Sequence, residues 1–399
     1  MVLDFPTELV MEGSVRILVP KLKDYKREAW EYAPSKAPVF YNPLMEVNRD
    51  IAVISLQVYR RIVGRDVIVA EPLAGCGVRG IRFAVEVDGV KYVMMNDINP
   101  KAVELTKHNI RLNKIEDRVS VKNEDANLFL SRHAAPNMRF DFIDLDPFGS
   151  PSPYMDSAIR ALKNGGLIAL TATDMAPLCG VYPKVSMRKY GGRSLRTEYC
   201  HEIAVRLLIG SLVMTAAKHD IGVKPILGYS MDHYIRLYAI IRHGARIADD
   251  SIKSMGYILH CFKCLHRETV KGLTVEINTK CSECGSRMSV AGPLWLGEIF
   301  DGRFCDLMIS DAESRRLNNR RRILRFLYTV KEEVNAPIAY YVIDKICDRL
   351  NLPVPPLRAV IRELRRMGFE AIPTHFNGCG VRTDAPSKDI ARVIMKLSG

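Results

Sequence analysis

The chain has 399 residues, 48% of them hydrophobic and 26% charged, enough to bury a core in about two or three domains. Lys and Arg number 58 against 45 Asp and Glu, a net charge of +13, which points to an anionic partner such as nucleic acid or to the charge-rich surface of a thermostable protein. No charged-then-apolar leader opens the chain and no run of about 18 apolar residues interrupts it, so a cytoplasmic protein that spans no membrane is expected. The chain has ten cysteines, and in that reducing compartment clustered ones read as metal ligands rather than disulfides.

In chain order, a short apolar run at residues 15–19 reads as one strand of an N-terminal hairpin. After Phe40-Tyr41-Asn42-Pro43, Asn48 is placed to cap a helix whose Ile51, Ile54, Val58 and Ile62 repeat at helical spacing. Arg49, in the first turn, runs against the helix dipole and has either an anionic partner or a solvated side chain. Residues 66–70 form a continuous apolar strand leading into Glu71-Pro72-Leu73-Ala74-Gly75-Cys76-Gly77-Val78-Arg79-Gly80 and a helix. Gly75 and Gly77 permit a tight turn and a close backbone approach to a ligand at that helix N-terminus. The next strand ends at Asp97, 20 residues beyond Gly77. A carboxylate there can accept both hydroxyls of a nucleoside cofactor's ribose, or it can cap the helix beginning near Pro100. Helix 101–112, strand 119–122 and Asp125 follow. Asp125 is placed either to bind an adenine amino group or to serve as an ordinary loop acid.

Residues 140–151, Phe140 to Pro151, alternate apolar residues with Asp and then break at Pro147 and Gly149. This reads as a buried fourth strand ending in Asp146, a Pro carbonyl and the Phe148 ring. In open α/β sheets, ligands bind at the carboxyl ends of strands. A carboxylate and a carbonyl can accept from an amino group, and a ring can stack on a base. Helix 155–162 and strand 166–171 complete a fifth unit. A long basic loop at 174–196, with Lys184, Arg188, Lys189 and Arg193, then precedes helix 200–218 and a hairpin at 224–241. No Gly-x-x-x-x-Gly-Lys-Ser/Thr motif is present, which removes a P-loop ATPase. A nicotinamide dehydrogenase and an S-adenosylmethionine methyltransferase remain, and the Asp-Pro-Phe-Gly and terminal hairpin favour the second.

Near residue 245 the α/β pattern stops, dividing the chain into an expected domain at 1–244 and another at 245–399. Cys261-x-x-Cys264 and Cys281-x-x-Cys284 are separated by 16 residues, the spacing of a zinc ribbon (about 256–290) with four thiolates closing a structural site. Arg315, Arg316, Arg320, Arg321, Arg322 and Arg325 are expected within one helical stretch. Two helices around a turn at residues 353–356, and a Gly-containing extended piece, resemble a winged helix-turn-helix (about 314–385). Arg358, Arg362, Arg365 and Arg366 share a face of its second helix. Together with the net charge, they favour nucleic acid over a merely solvated surface.

Phe40-Tyr41-Asn42-Pro43, Asn48-Arg49-Asp50, the segment from Glu71 to Arg79, Asp146-Pro147-Phe148-Gly149 and Thr374-His375-Phe376-Asn377 together resemble the tRNA (guanine-26, N2) dimethyltransferases, in particular the archaeal form. The resemblance covers nearly the whole chain, although Gly378-Cys379 stands where the family commonly has Pro after the Asn. It implies a class I, Rossmann-like S-adenosylmethionine-dependent methyltransferase domain followed by an α+β tRNA-binding domain. By the same resemblance Arg49, Arg79, Asp97, Asp125 and Ala126 contact S-adenosylmethionine, Asp146, Pro147 and Phe148 hold and activate the base, and Phe40 is its second stacking partner. A monomer is expected. The rivals are an amino methyltransferase of another RNA or DNA, and a non-catalytic RNA-binding protein.

Overall fold

The computed structural model describes residues 3–25 and 33–398. The chain divides into two compact units that interleave along the sequence. The first comprises residues 1–147, 153–170 and 306–325, and the second 148–152, 171–305 and 326–399. This is a division by compactness, where the 244/245 boundary is one of sequence order.

The first unit opens with an antiparallel hairpin of β1 (Thr7–Glu12) and β2 (Val15–Pro20), in which Val15, Ile17 and Val19 turn inward. Helix α1 (Glu46–Val63) follows a 3-10 turn capped by Asn42, whose Oδ1 accepts from Leu44 N–H at 3.0 Å. Asn48, expected as the cap, lies instead inside α1 and is fully buried. Pro43 at the start of the turn and Asn42 before it supply the start signal one turn earlier.

Five strands then alternate with helices: β3 (Val67–Glu71), α2 (Val78–Glu86), β4 (Val90–Asn96), α3 (Pro100–Leu112), β5 (Val119–Lys122), α4 (Ala126–Arg132), β6 (Phe140–Leu145), α5 (Met155–Arg160) and β7 (Leu162–Ala172). They pair in parallel in the order β5-β4-β3-β6-β7. All six residues of β6 are buried, as expected for a strand covered on both faces. The strand order reverses between β3 and β6, so the loops after these neighbouring strands part at a switch point. That places the glycine turn after β3 beside Asp146 after β6.

In the second unit, the basic stretch expected as a loop carries two short helices, α6 (Met175–Leu178) and α7 (Pro183–Tyr190). Pro183 opens α7, and Gly191, at φ +72°, closes it, a start and stop pair that follows from their fixed and permissive φ. Helix α8 (Cys200–Ala217) precedes a hairpin of β8 (Ile221–Met231) and β9 (Tyr234–His243). Contrary to the expectation from sequence, α8 is long and apolar enough to cross a membrane by length and composition, but 67% of it is buried inside the protein. Its Glu202 and Arg206 are paired with each other at 2.9 Å, which lets a charged pair lie within an apolar helix.

After α9 (Ala245–Lys253), strands β10 (Met255–His260), β11 (Arg267–Lys271) and β12 (Ser289–Trp295) form a three-stranded antiparallel sheet in the order β11-β10-β12. Helix α10 (Gly302–Ser314) ends before Arg315, and α11 (Arg320–Glu332) begins anew. The six arginines therefore do not share one helix. Asn318 and Asn319 interrupt it, their side chains donating to Glu46 at 2.7 and 3.5 Å. The chain ends with β13 (Tyr341–Val342), α12 (Ile343–Leu350), α13 (Leu357–Arg366), β14 (Ala371–Thr374), β15 (Asn377–Thr383) and α14 (Ser387–Ser398). Val360, Leu364, Val381 and Ile390 belong to one buried apolar cluster here.

Candidate active site

The turn after β3 uses both glycines. Gly75 and Gly77 have φ +57° and +75°, a left-handed conformation that costs glycine little. A Cβ on Gly77 would lie 2.6 Å from Thr106 Cγ2, and one on Gly75 would lie 3.2 Å from Phe40 O. The half-buried Phe40 therefore has its backbone against the turn. Thr106 Oγ1 donates to Gly75 O at 3.0 Å and Asn109 Nδ2 to Cys76 O at 3.0 Å, fixing the loop on α3.

Asp97 accepts from Gly75 N–H at 2.8 Å and from Asn99 N–H at 2.9 Å. Burial, partly offset by those amides, pushes its carboxyl up. The cap of α3 is Asn99, so Asp97 joins the turn rather than capping. Asp125 caps α4, accepting from Asn127 and Leu128 N–H at 2.9 and 3.1 Å. Ala126, the first residue of α4, is buried.

Arg79, in the first turn of α2 and 3% exposed, is the hub. Its Nη2 donates to Asp146 and, at 2.8 Å, to Asn48 Oδ1. Its Nη1 lies 3.6 Å from Asp144 and its Nε 3.8 Å from Glu71. Burial pushes the Glu71 carboxyl up to about 8 despite Arg79 and the Gly80 amide, with Asp144 and Asp146 adding to the rise. Glu71 and Asp144 are not assigned a site role from sequence, and Asn48 is read there only as a helix cap. Asp144 was detectable, because it lies in β6 two residues before Asp146, the spacing that sets side chains on one face of an extended chain.

Arg49 finds its anionic partner in Glu12. Nε and Nη2 donate to the two carboxylate oxygens at 2.5 and 2.6 Å, and Tyr41 OH donates to the same group at 3.2 Å. Burial works against the Glu12 charge, yet Arg49 and Arg82 hold its carboxyl below the ordinary range.

Pro147 is buried, and the chain passes from the first unit into the second between Pro147 and Phe148. There Phe148 is 69% exposed. Gly149, at φ +80°, donates its N–H to Thr173 Oγ1 at 2.8 Å, and Thr173 N–H returns to Gly149 O at 2.9 Å. The turn is pinned while the ring stays open to solvent.

The four expected metal ligands come together. One sulfur from each of Cys261, Cys264, Cys281 and Cys284 lies within 4.8 Å of the others, with Cys261–Cys284 and Cys264–Cys281 separations of 3.5 and 3.6 Å. A tetrahedron with bonds of about 2.3 Å has edges of about 3.8 Å, so the sulfurs fit one zinc ion. His266 stands beside them but pairs with Glu283 and Glu268 at 2.9 and 3.1 Å.

A parallel sheet with a glycine turn at its switch point, an acid after the next strand and an acid at the tip of β6 defines a Rossmann-like domain of the nucleoside-cofactor class. The chain matches the N2,N2-dimethylguanosine tRNA methyltransferase family over residues 13–395. It belongs to that family. Among its relatives, tRNA (guanine(26)-N(2))-dimethyltransferase of Methanothermobacter thermautotrophicus is 44% identical over 97% of this chain and 98% of its own. The tRNA (guanine(26)-N(2)/guanine(27)-N(2))-dimethyltransferase of Aquifex aeolicus is 39% identical over 98% of this chain and 96% of its own. Among solved structures, Trm1 from Pyrococcus horikoshii with S-adenosyl-L-methionine superposes with a TM-score of 0.85 at 35% identity, over 97% of this chain and 99% of that one.

Proposed function

We propose that the chain transfers methyl groups from S-adenosylmethionine to the exocyclic N2 of guanine-26 in tRNA, giving N2-methyl- and N2,N2-dimethylguanine. Full-length relatives bearing that activity in their names support the reaction. The observation that carries the site is Asp146 at the end of β6, paired with Arg79 from the helix behind the glycine turn.

The left-handed Gly75 and Gly77, with the carboxylates of Asp97 and Asp125, fit a nucleoside cofactor. S-adenosylmethionine held there by these residues, Arg49, Arg79 and Ala126 would supply the electrophilic methyl group. Guanine N2 is a poor nucleophile because its lone pair is delocalised into the ring. Asp146 accepts a hydrogen bond from the amino group, orients the lone pair and takes the proton as charge develops. Pro147 O accepts the second N–H. Phe148 stacks on the extruded base with Phe40 as the second ring, offsetting an unstacking cost of a few kcal/mol. Arg79 holds the carboxylate in place. The monomethyl amine keeps one N–H, so the same groups serve a second round.

Zinc on the four thiolates closes a ribbon with the sheet of β10, β11 and β12. Helices α12 and α13 with β14 and β15 form a winged-helix-like part, on which Arg358 and Arg362 are exposed. These elements and the exposed Lys184, Arg188 and Arg193 bind the tRNA backbone through its phosphates. We further propose a cytoplasmic monomer, which sedimentation of the purified chain and imaging of the tagged one would check.

Mass mapping of guanines in tRNA after incubation with the protein and labelled S-adenosylmethionine tests the reaction. Label at position 26 is expected. Label confined to ribosomal RNA or duplex DNA, or no cofactor binding by calorimetry, would overturn it.

A further inference from the structure

Within the second unit, Cys179, Cys200 and His201 offer one ligand atom each, all within 4.8 Å of one another. The side chains of Cys179 and Cys200 are hydrogen-bonded to each other.

The backbone is shaped to bring these sequence-distant residues together. Cys179 ends α6, its N–H donating to Met175 O at 2.7 Å. Gly180 follows at φ +87°, and a Cβ there would lie 2.2 Å from both Arg196 N and Leu195 C. Only a glycine lets the chain at 195–196 lie against that turn. Ser194 Oγ donates to Pro177 O at 2.6 Å, closing the same gap from the other side. Cys200 then opens α8, its N–H donating to Thr197 O at 3.2 Å. The two ends of the segment carrying α6 and α7 are thus fastened together at the two thiols, with the His201 imidazole beside them.

We propose that Cys179, Cys200 and His201 form a second metal site, separate from the four-thiol cluster, that takes a thiophilic divalent ion, zinc. Two thiolates and an imidazole are the ligand types that select zinc over harder cations. Three protein ligands leave a fourth position for water. The ion ties the start of α8 to the turn between α6 and α7, and so fixes the foot of the basic α7. A thiol pair alone would suit a disulfide equally well. The adjacent imidazole is what distinguishes a metal site.

The test is metal content of the full-length protein, purified without chelating resin, combined with cobalt substitution. The wild type should bind one more equivalent than the Cys179→Ala/Cys200→Ala variant, while Cys261→Ser/Cys284→Ser should lose a different equivalent. Cobalt–thiolate charge-transfer absorbance should fall by the second site's share in the first variant, and the second site's bands should be what remains in the other. Should the first variant fail to fold, wild-type protein gives the answer: chelation should open Cys179 and Cys200 to alkylation, and zinc should close them again. Equal metal content in wild type and the Cys179/Cys200 variant, alkylation indifferent to zinc, or a Cys179–Cys200 disulfide in unreduced protein would each overturn the assignment. None of these readouts depends on methyl transfer.

Discussion

Arg79 Nη2 donates to the Asp146 carboxylate, joining the helix behind the glycine turn to the tip of the fourth parallel strand. The side chain of Arg79 is 3% exposed and that of Asp146 23%, so the cation is locked in the protein while the acid reaches the surface. Asp146→Ala should abolish methyl transfer while leaving tRNA affinity nearly intact, as measured by single-turnover assay and filter binding. Retained turnover would sink the role given to this carboxylate.

Replacing Arg79 should act differently. Arg79→Met leaves Glu71 and Asp144, both nearly inaccessible, without their common cation. Removing one partner of such a network typically costs about 3–5 kcal/mol. A urea midpoint that does not move would refute the hub described for Arg79.

The raised Glu71 carboxyl carries a pH signature. Its folded value of about 8 lies above the ordinary 4.5, so folding takes up a proton between those limits. The associated stability is fully present below pH 4.5 and is lost as pH rises toward 8. Glu71→Gln should therefore flatten the fall in thermal midpoint over that window, which calorimetry across a pH series would reveal.

Gly77→Ala combines two penalties. The residue would keep φ +75° and press a methyl to within 2.6 Å of Thr106 Cγ2. A left-handed alanine alone costs about 1–2 kcal/mol. Cofactor affinity by calorimetry should drop by about five- to thirtyfold if the turn must shift by that energy. Unchanged affinity would show that the turn does not face the cofactor.

Arg316, Arg320 and Arg321 are exposed around the break between α10 and α11. If they contact tRNA phosphates, replacing Arg321 by Ala should reduce the slope of log affinity against log salt by about 0.7–0.9. The rate at saturating tRNA should stay unchanged. An unaltered slope would remove this surface from the interface.

The alternation in residues 140–146, the glycines at 75 and 77 and the four paired cysteines each express a local rule. Strand period, permitted φ and ligand spacing are properties of a short segment, so they were legible without coordinates. Which charged groups meet was not. Arg49 is satisfied by Glu12, 37 residues away, and Arg79 draws partners from α1, β3 and β6. Cys179 reaches Cys200 only because Gly180 lets two backbone segments touch. Helix periodicity sets the face on which a side chain lies, but the register of β3 against β6 and the rotation of α2 decide what stands opposite it. Those are outcomes of packing the whole unit, and no single segment encodes them.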